Sequence, residues 1–251
     1  MQILRNVMVV FIITIMSNQL DLVYAQSEIP IYFEVRNVIT ENSNIIIENK
    51  NENQLNMNNV LTLYYSNDCD IKECLYKQLE MFNKKIENIN SLKIITANRK
   101  LTKEDLYFIG NLNIENIDLS CAKVENNLIP KDCFYKNKSL KNFKFPKNLE
   151  IIEDYAFAEC SNLQGKLILP ETLKSIGIAS FAGCGYDSFE LPLSITEIPI
   201  SFCNRWYNLK DVEIQPHITK INDYAFIGTN ITSLKINNYN NLILGNDIFG
   251  D

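Results

Sequence analysis

The sequence contains few side chains of the kinds that catalysis requires. His217 is the only histidine, so any mechanism that pairs a Cys or Ser nucleophile with a histidine base would have to use it. It stands between Pro216 and Ile218 in an expected turn between strands, where a solvated histidine without a catalytic role is the simpler interpretation. The adjacent carboxylates Glu153 and Asp154 are expected to cap a turn rather than to act as general acid and base.

Sequence motifs of the common enzyme classes are missing as well. The chain has no G-x-S-x-G elbow, no P-loop, no dinucleotide-binding fingerprint and no H-E-x-x-H pair. A zinc site is not expected either, because no C-x₂-C pair accompanies the single histidine. We therefore predict a protein with no catalytic residues, no metal and no cofactor. An enzyme with its active site in the N-terminal region is a distant alternative.

Residues 1–25 have the layout of a secretory signal peptide. Arg5 supplies a positive start, residues 7–16 (VMVVFIITIM) are apolar, and Val23 and Ala25 place small residues before a cleavage point. The apolar run is well short of the roughly 20 residues that span a bilayer, which argues against a membrane anchor. We predict a protein that is secreted or held at the cell surface, with no membrane span in the mature chain.

The charge of the chain excludes two classes of partner. The formal net charge is −6, and no stripe of the sequence is dense in Lys and Arg. Nucleic acids and anionic membrane surfaces attract proteins that present such basic stripes. Neither is therefore an expected partner.

A phenylalanine recurs through the second half of the chain with spacings of 23, 24, 21, 24 and 23 residues. An aliphatic residue and an apolar-x-apolar triplet recur in phase with it, so three series share one period. A period of roughly 20 to 29 residues with a short strand motif is typical of a leucine-rich-repeat solenoid. The series are Phe134, Phe157, Phe181, Phe202, Phe226 and Phe249; Ile129, Ile152, Ile176, Ile198, Ile221 and Leu244; and triplets beginning at Ile117, Phe143, Leu167, Phe189, Val212 and Leu234.

Each triplet is expected to form one strand of a parallel sheet. Successive strand residues face opposite sides, so the outer two residues of a triplet point into the core and the middle one points to solvent. Pro146, Pro170 and Pro192 directly follow their triplets and end the strands, because proline cannot continue the ladder. In the next repeat the proline is delayed to Pro216. A short helical or irregular segment carrying the Phe is expected on the opposite side of each coil.

Residues 26–91 do not show the repeat and read as a small α+β region. An apolar stripe from Ile71 to Ile89 predicts a helix, with Asp68 or Asp70 as its cap. We interpret this region as a cap for the first coil of the solenoid, and a separate recognition module is the alternative. The predicted strands are Ile29–Val38, Asn44–Ile47 and Val60–Tyr65.

Residues 92–251 are predicted to form the solenoid, with a strand at its entry and a short helix that Thr102 caps. The phrases IIEDYAFAECSNLQGKLILPETLKSI and ITKINDYAFIGTNITSLKI resemble the BspA-like leucine-rich-repeat family. The stretch LTKEDLYFIGNLNIENIDLS resembles the cap that often precedes such arrays. The resemblance implies a secreted or surface protein, and some family members are linked to adhesion.

The chain departs from the family pattern in the later repeats. One repeat replaces Phe-x-x-Cys with Phe202-Cys203 and an extra residue before Leu209, and the next has Thr229 at the cysteine position. The array also runs to Asp251, inside a coil.

Seven cysteines follow the predicted signal peptide, so an oxidising compartment would leave at least one unpaired. Cys69 and Cys74 are near neighbours and are predicted to form a local disulfide. Cys160 and Cys184 occupy equivalent places on adjacent coils, at a separation that a disulfide tolerates. A ladder of buried free thiols is the other interpretation of these two residues, and the one we favour.

The outward side of the sheet is the predicted binding face. It has an acidic centre flanked by lysines, which would suit a cationic ligand, although a merely solvated face is the simpler interpretation. Arg205, Trp206 and Tyr207 form the best aromatic cluster, with Trp206 either a contact residue on a loop or core packing in a repeat without its usual cysteine. The candidate residues of the face are Lys144, Ile168, Glu190, Asp211, Glu213 and Lys235.

Two sequons predict a glycoprotein. Asn137 sits at the cysteine position of its repeat and is the poorer candidate, and Asn230 lies one residue beyond that position.

These observations predict a secreted or surface binding protein that acts in adhesion or recognition of a protein or glycan. The alternative is an assembly protein that self-associates through an uncapped C-terminal coil, in which Leu244 and Phe249 would stay partly uncovered.

Overall fold

The computed structural model describes residues 33–39, 43–49, 59–65, 70–81, 83–237 and 241–250. The predicted signal peptide, Cys69 and Asp251 lie outside the described residues. The chain divides into two compact units between Arg99 and Lys100, and each is described by itself.

The first unit is a small α+β structure, and its described elements agree with the sequence-based expectation. Strands β1 and β2 form an antiparallel pair, and β3 and β4 form a parallel pair with Leu63 opposite Ile94. Asp70 caps helix α1, since its Oδ1 accepts the N–H of Glu73 at 2.7 Å. The elements are β1 (Phe33–Ile39), β2 (Ser43–Asn49), β3 (Val60–Tyr65), α1 (Ile71–Met81), a 3₁₀ turn (Ile86–Asn88) and β4 (Ser91–Thr96).

The second unit opens with helix α2 (Lys103–Gly110), and the predicted cap is confirmed. Thr102 Oγ1 accepts the N–H of Asp105 at 3.1 Å, and the Asp105 carboxylate accepts the N–H of Thr102 at 2.9 Å. This reciprocal capping box satisfies donors that the first turn of a helix leaves free.

The rest of the second unit is a parallel solenoid in which long strands alternate with strands of two residues. The long strands are β5 (Asn116–Cys121), β7 (Asn142–Lys144), β9 (Gln164–Ile168), β11 (Gly185–Glu190), β13 (Asp211–Ile214) and β15 (Ser233–Ile236). The short strands are β6 (Leu128–Ile129), β8 (Ile151–Ile152), β10 (Ser175–Ile176), β12 (Glu197–Ile198), β14 (Lys220–Ile221) and β16 (Ile243–Leu244).

The two ladders of this solenoid are interrupted at different coils. The long strands pair as β5–β7, β9–β11 and β13–β15, whereas the short strands pair as β6–β8–β10 and β12–β14–β16. Each gap in the long-strand ladder therefore falls where the short-strand ladder is continuous, and the reverse also holds. The predicted parallel sheet is confirmed, but β11 and β13 are not hydrogen-bonded to each other.

The repeated phenylalanines fill the core from the side opposite the long strands, as predicted. The rings of Phe134, Phe157 and Phe181 are buried and stack, with successive ring centres 4.8 Å and 5.3 Å apart. Phe202 and Phe226 are buried too, whereas Phe249 in the last described coil is 48% exposed. The segments that carry these rings are turns rather than helices.

Hydrogen bonds between the phenylalanine turns form a third column of contacts between coils. Phe157 N–H donates to the Ser180 carbonyl at 2.7 Å, and Phe226 N–H donates to the Ile248 carbonyl at 2.8 Å. Gly177 comes close to this column, because a Cβ added to it would lie 2.4 Å from the backbone nitrogen of Asp154. Glu153 and Asp154 accept the N–H groups of Lys131 and Ile178, which confirms that they cap turns.

Side-chain donors at one position of three successive coils also link neighbouring coils, whereas Thr229 in the following coil donates to the Phe226 carbonyl of its own coil. Cys160 Sγ lies 2.9 Å from the Phe134 carbonyl, and Cys184 Sγ lies 3.2 Å from the Phe157 carbonyl. Trp206 Nε1 donates in the same way to the Phe181 carbonyl at 2.7 Å. The position therefore calls for a buried donor, which explains why Trp can replace Cys in the irregular repeat.

The central ring of the stack provides a test of the repeat core. We expect Phe181→Ala to lower the free energy of unfolding by roughly 3–5 kcal/mol, because a buried ring is lost and a cavity is left. The matched change Phe249→Ala removes a half-exposed ring and should cost clearly less. Urea unfolding followed by circular dichroism measures both, and equal losses at the two sites would contradict this account of the core.

Candidate functional site

The outward residues of the long strands form an exposed row across the coils. Lys144, Glu190, Asp211, Glu213 and Lys235 are exposed, and Ile168 is 73% exposed. In register, Glu190 lies beside Ile168 on β11 and β9, and Glu213 lies beside Lys235 on β13 and β15. The inward neighbours Leu167 and Val212 are buried, so the alternation expected from the triplets is observed at these strands.

Most charges on this face are paired with one another. Lys166 Nζ lies 2.6 Å from Glu190, Lys235 Nζ lies 2.8 Å from Glu213, and Lys144 Nζ lies 3.4 Å from Asp118. A hydrogen bond from Lys166 lowers the pKa of Glu190 below its ordinary value. A hydrogen bond from Lys235, helped by one from Asn237, lowers the pKa of Glu213 in the same way.

This pairing changes the interpretation of the acidic centre. Of its three carboxylates, Glu190 and Glu213 are each neutralised by a lysine, and only Asp211 has no ion pair among the described residues. The centre is therefore less anionic than the sequence suggested.

Two depressions lie on this part of the molecule. The first, the strand cleft, follows the gap between β11 and β13, has a volume of about 510 Å³ and is walled by Ser188, Glu190, Asp211 and Glu213. The second, the turn groove, is lined by the segments after three successive long strands and also measures about 510 Å³. Its wall residues include Ile168, Glu171, Leu193, Gln215 and His217. It shares Lys166, Glu190 and Gln215 with the strand cleft.

Residues 127–251 match the family model described as the BspA type leucine rich repeat region, in six copies. This array belongs to the BspA-type leucine-rich-repeat family. The family resemblance drawn from the repeat phrases is therefore confirmed.

Two solved structures are similar to the chain. A leucine-rich repeat protein from Bacteroides ovatus is 19% identical with a TM-score of 0.42, and the match covers 64% of this chain and 44% of that one. The chain thus spans less than half of that protein's length. A leucine rich cell surface protein from Faecalibacterium prausnitzii is 12% identical with a TM-score of 0.27, covering 62% of this chain and 80% of that one. No curated protein matches the chain.

The aromatic cluster of the BspA-type array does not act as one surface. Trp206 is fully buried, which decides its role in favour of core packing and corrects its assignment as a loop contact. Arg205 forms an ion pair with Glu159, and Tyr207 is 60% exposed. Arg205 and Tyr207 line a separate pocket of about 200 Å³, away from the residues of the strand cleft.

The sequons differ in how their asparagines are used. Asn137 Nδ2 donates to the carbonyls of Gly110 and Leu112 at 2.8 Å and 3.3 Å, so a glycan on this nitrogen would remove one of its two N–H donors and break at least one contact. Asn230 is exposed, and its Nδ2 donates only to the Tyr207 carbonyl at 2.6 Å. Asn230 stays the better predicted glycosylation site.

The cysteines of the array are free thiols, which confirms the buried thiol ladder over the disulfide between coils. Cys133, Cys160, Cys184 and Cys203 are buried and unpaired. Burial raises the pKa of Cys160 to about 12, and it raises that of Cys184 well above the ordinary value. Neither thiol is therefore a thiolate nucleophile at neutral pH.

The other chemistry-bearing groups are scattered. Cys74 is disulfide-bonded, and its pairing with Cys69, which lies outside the described residues, stays a prediction. Within the described ranges, no group of three or more His, Cys, Asp or Glu side chains could hold a metal ion. His217 is half-buried in the wall of the turn groove.

Sequence reasoning missed the turn groove. Leu193 is 75% exposed although it directly follows Pro192, and it was not assigned to any surface. Two sequence features could have indicated the groove: the residues that follow the strand-ending prolines, and the extra residue Gln215 before Pro216.

The ion pairs make a prediction about titration. We expect Lys166→Met to raise the pKa of Glu190 towards its ordinary value, because the mutation removes the hydrogen bond and the charge that lower it. The matched change Lys235→Met should move Glu213 instead. NMR titration of the side-chain carboxyl carbons measures both values.

The lowered pKa of Glu190 determines how the stability of the fold depends on pH. The ion pair of Glu190 stabilises the folded state at pH values above the pKa that Glu190 has in the unfolded chain. This stabilisation is lost as the pH falls through the lower pKa that Glu190 has in the folded state. Since both partners are exposed, thermal stability near neutral pH should change little. An unmoved Glu190 titration in Lys166→Met would contradict the pairing.

Proposed function

We propose that this protein is a secreted or cell-surface recognition protein that binds a protein or glycan partner through the outward face of its long strands. One contrast carries the proposal. Inward positions repeat the same apolar chemistry in successive coils, whereas the outward positions change from Lys144 to Ile168, Glu190, Glu213 and Lys235. These outward side chains add only exposed ion pairs to the stacking of the coils, and such pairs contribute little to stability, so the side chains are available for specificity. Solenoids commonly bind partners across such extended surfaces.

Several observations support an extracellular location. Residues 1–25 have the pattern of a signal peptide. Cys74 is disulfide-bonded, and disulfides persist mainly in oxidising compartments. One similar solved structure is described as a cell surface protein. Among the described residues, no helix has the length and apolar character needed to cross a bilayer.

A binding screen with matched variants tests this function. The purified chain is screened against extracellular matrix proteins and glycans, and any hit is titrated by biolayer interferometry. We expect Glu190→Lys with Glu213→Lys to weaken binding at least about tenfold, because two of the three ion pairs of the face are replaced by repulsion between lysines.

The control for this experiment carries the same change of charge elsewhere. Glu104→Lys with Glu125→Lys alters two exposed acids outside the long strands and should leave the affinity nearly unchanged. Equal loss in the two double variants would show a general charge effect and argue against the strand face.

Self-association is a second candidate function, favoured by the exposed apolar residues of the last described coil. Leu234, Ile243, Leu244 and Phe249 are exposed there, and exposed apolar patches mark association surfaces. We propose that these side chains form a surface on which a second copy of the chain docks.

This contact between copies makes its own prediction. Leu244→Lys should shift the purified chain towards monomer in sedimentation velocity, because a charge would be buried in the contact. The exposed control Ile178→Lys should leave the distribution unchanged. A wild-type chain that stays monomeric at high concentration would remove this candidate and leave recognition by the strand face.

A further inference from the structure

We propose that the turn groove binds an extended segment of a protein partner in which an aliphatic residue stands next to a lysine or arginine. The inference rests on the proposed recognition function and names the class of partner that one part of the surface would take. It is carried by three features of the groove: exposed aliphatic surface, unpaired polar atoms and an unpaired carboxylate.

The groove follows from how the strands end. Pro170, Pro192 and Pro216 terminate three successive long strands, and each directs the chain into a turn. The residues after these prolines are Glu171, Leu193 and His217, and all three line the groove. Gln215 is an additional residue between Ile214 and its proline, and it also enters the wall.

The aliphatic surface comes from Ile168 and Leu193. At 73% and 75% exposure they are the most exposed large apolar side chains of the described residues, and they line the same depression. Exposed apolar surface gathered in a depression is stabilised when a partner covers it. An aliphatic side chain of the partner would fit between these two residues.

The polar wall has two atoms without hydrogen-bond partners. Gln215 Oε1 and His217 Nε2 are buried atoms that make no hydrogen bond within the described structure. Buried polar atoms are nearly always hydrogen-bonded, so rotation of these two half-buried side chains towards the groove would allow a ligand to complete them. A peptide unit supplies one N–H for the Gln215 oxygen and one C=O for an N–H on His217 Nε2.

The charge of the groove determines which residue of the partner should stand next to its aliphatic residue. Lys166 already neutralises Glu190, whereas Glu171 forms no ion pair among the described residues. A lysine or arginine of the partner would pair with Glu171. The preceding coil places Lys147 at the position equivalent to Glu171, so the anionic region does not continue in that direction.

The same lining favours a peptide over a glycan. The groove lining contains no Phe, Tyr or Trp, so His217 is the one ring in it and no large aromatic face is offered to a sugar. Its apolar surface is aliphatic and its orphaned atoms match a backbone amide. A glycan is therefore left as an outcome of the test.

A peptide array measures the proposed preference directly. The purified chain is applied to end-blocked octapeptides of the form Gly-Gly-Ser-X-Z-Ser-Gly-Gly, in which X and Z each vary over the standard amino acids. We expect the strongest signals where X is Leu, Ile or Val and Z is Lys or Arg. The labelled Leu–Lys peptide should bind more tightly than the Leu–Glu peptide in fluorescence anisotropy.

Variants of the groove separate binding from folding. Leu193→Ser should weaken binding of the Leu–Lys peptide about tenfold, since it removes half of the aliphatic surface without touching the core. Gln215→Leu should also weaken binding while leaving the melting temperature unchanged or higher, because it removes an unsatisfied buried acceptor. Ile178→Ser, at an exposed aliphatic residue outside the groove, is the matched control and should bind normally.

The possible outcomes distinguish this inference from the proposed function. The proposed peptide site would be wrong if the array showed no preference at X or Z. It would also be wrong if Leu193→Ser and Gln215→Leu left peptide binding unchanged. If a matrix protein or glycan from the screen still depends on Glu190 and Glu213 in that case, the recognition function stands without the groove. If the array also selects nothing and no screened partner binds, both proposals fail.

Discussion

Every part of the BspA-type array depends on contact between one coil and the next. A single coil carries a phenylalanine and inward aliphatic residues that it cannot bury alone, and its strands expose N–H and C=O groups on both sides. Stacking meets both needs together. The ring of Phe157 lies between those of Phe134 and Phe181, while the Phe157 N–H donates to the carbonyl of Ser180 in the following coil.

The interrupted ladders show how this constraint accommodates irregular repeats. The long-strand ladder lacks a link between β11 and β13, but the short strands β12 and β14 remain paired at the same step. The repeat with the extra residue keeps its link on the third side as well, because Trp206 takes over the donor position held by Cys184 one coil earlier. Because the coils are joined on three sides, a defect on one side does not separate them.

Because contact between coils constrains mainly the inward side chains, the outward face is free to vary. Inward side chains are constrained by packing against two neighbouring coils, and a change in volume there is costly. Outward side chains such as Ile168 and Glu190 meet only solvent and each other. This freedom explains how one fold can present exposed aliphatic residues, paired charges and unsatisfied polar atoms within a few coils.

The sequence by itself determined the period, the parallel strands, the inward and outward sides of each triplet and the cap at Thr102. These features were predictable because they depend on spacings within one coil or one helical turn, where burial and hydrogen bonding follow directly from residue type. The departure at Leu234, which is an inward position yet exposed, has the same physical basis: no later coil within the described residues stacks on it.

Only the tertiary structure decided which residues meet across coils. Lys166 pairs with Glu190, 24 residues away, and not with a carboxylate of its own coil, so the acidic centre read from the sequence is largely neutralised. Trp206 turned out to be a buried donor because its indole reaches a carbonyl 25 residues earlier. The turn groove likewise arises from the lengths of three successive coils and from the extra residue Gln215. Such contacts depend on how each coil stacks on the next, and no spacing within a single repeat encodes that geometry.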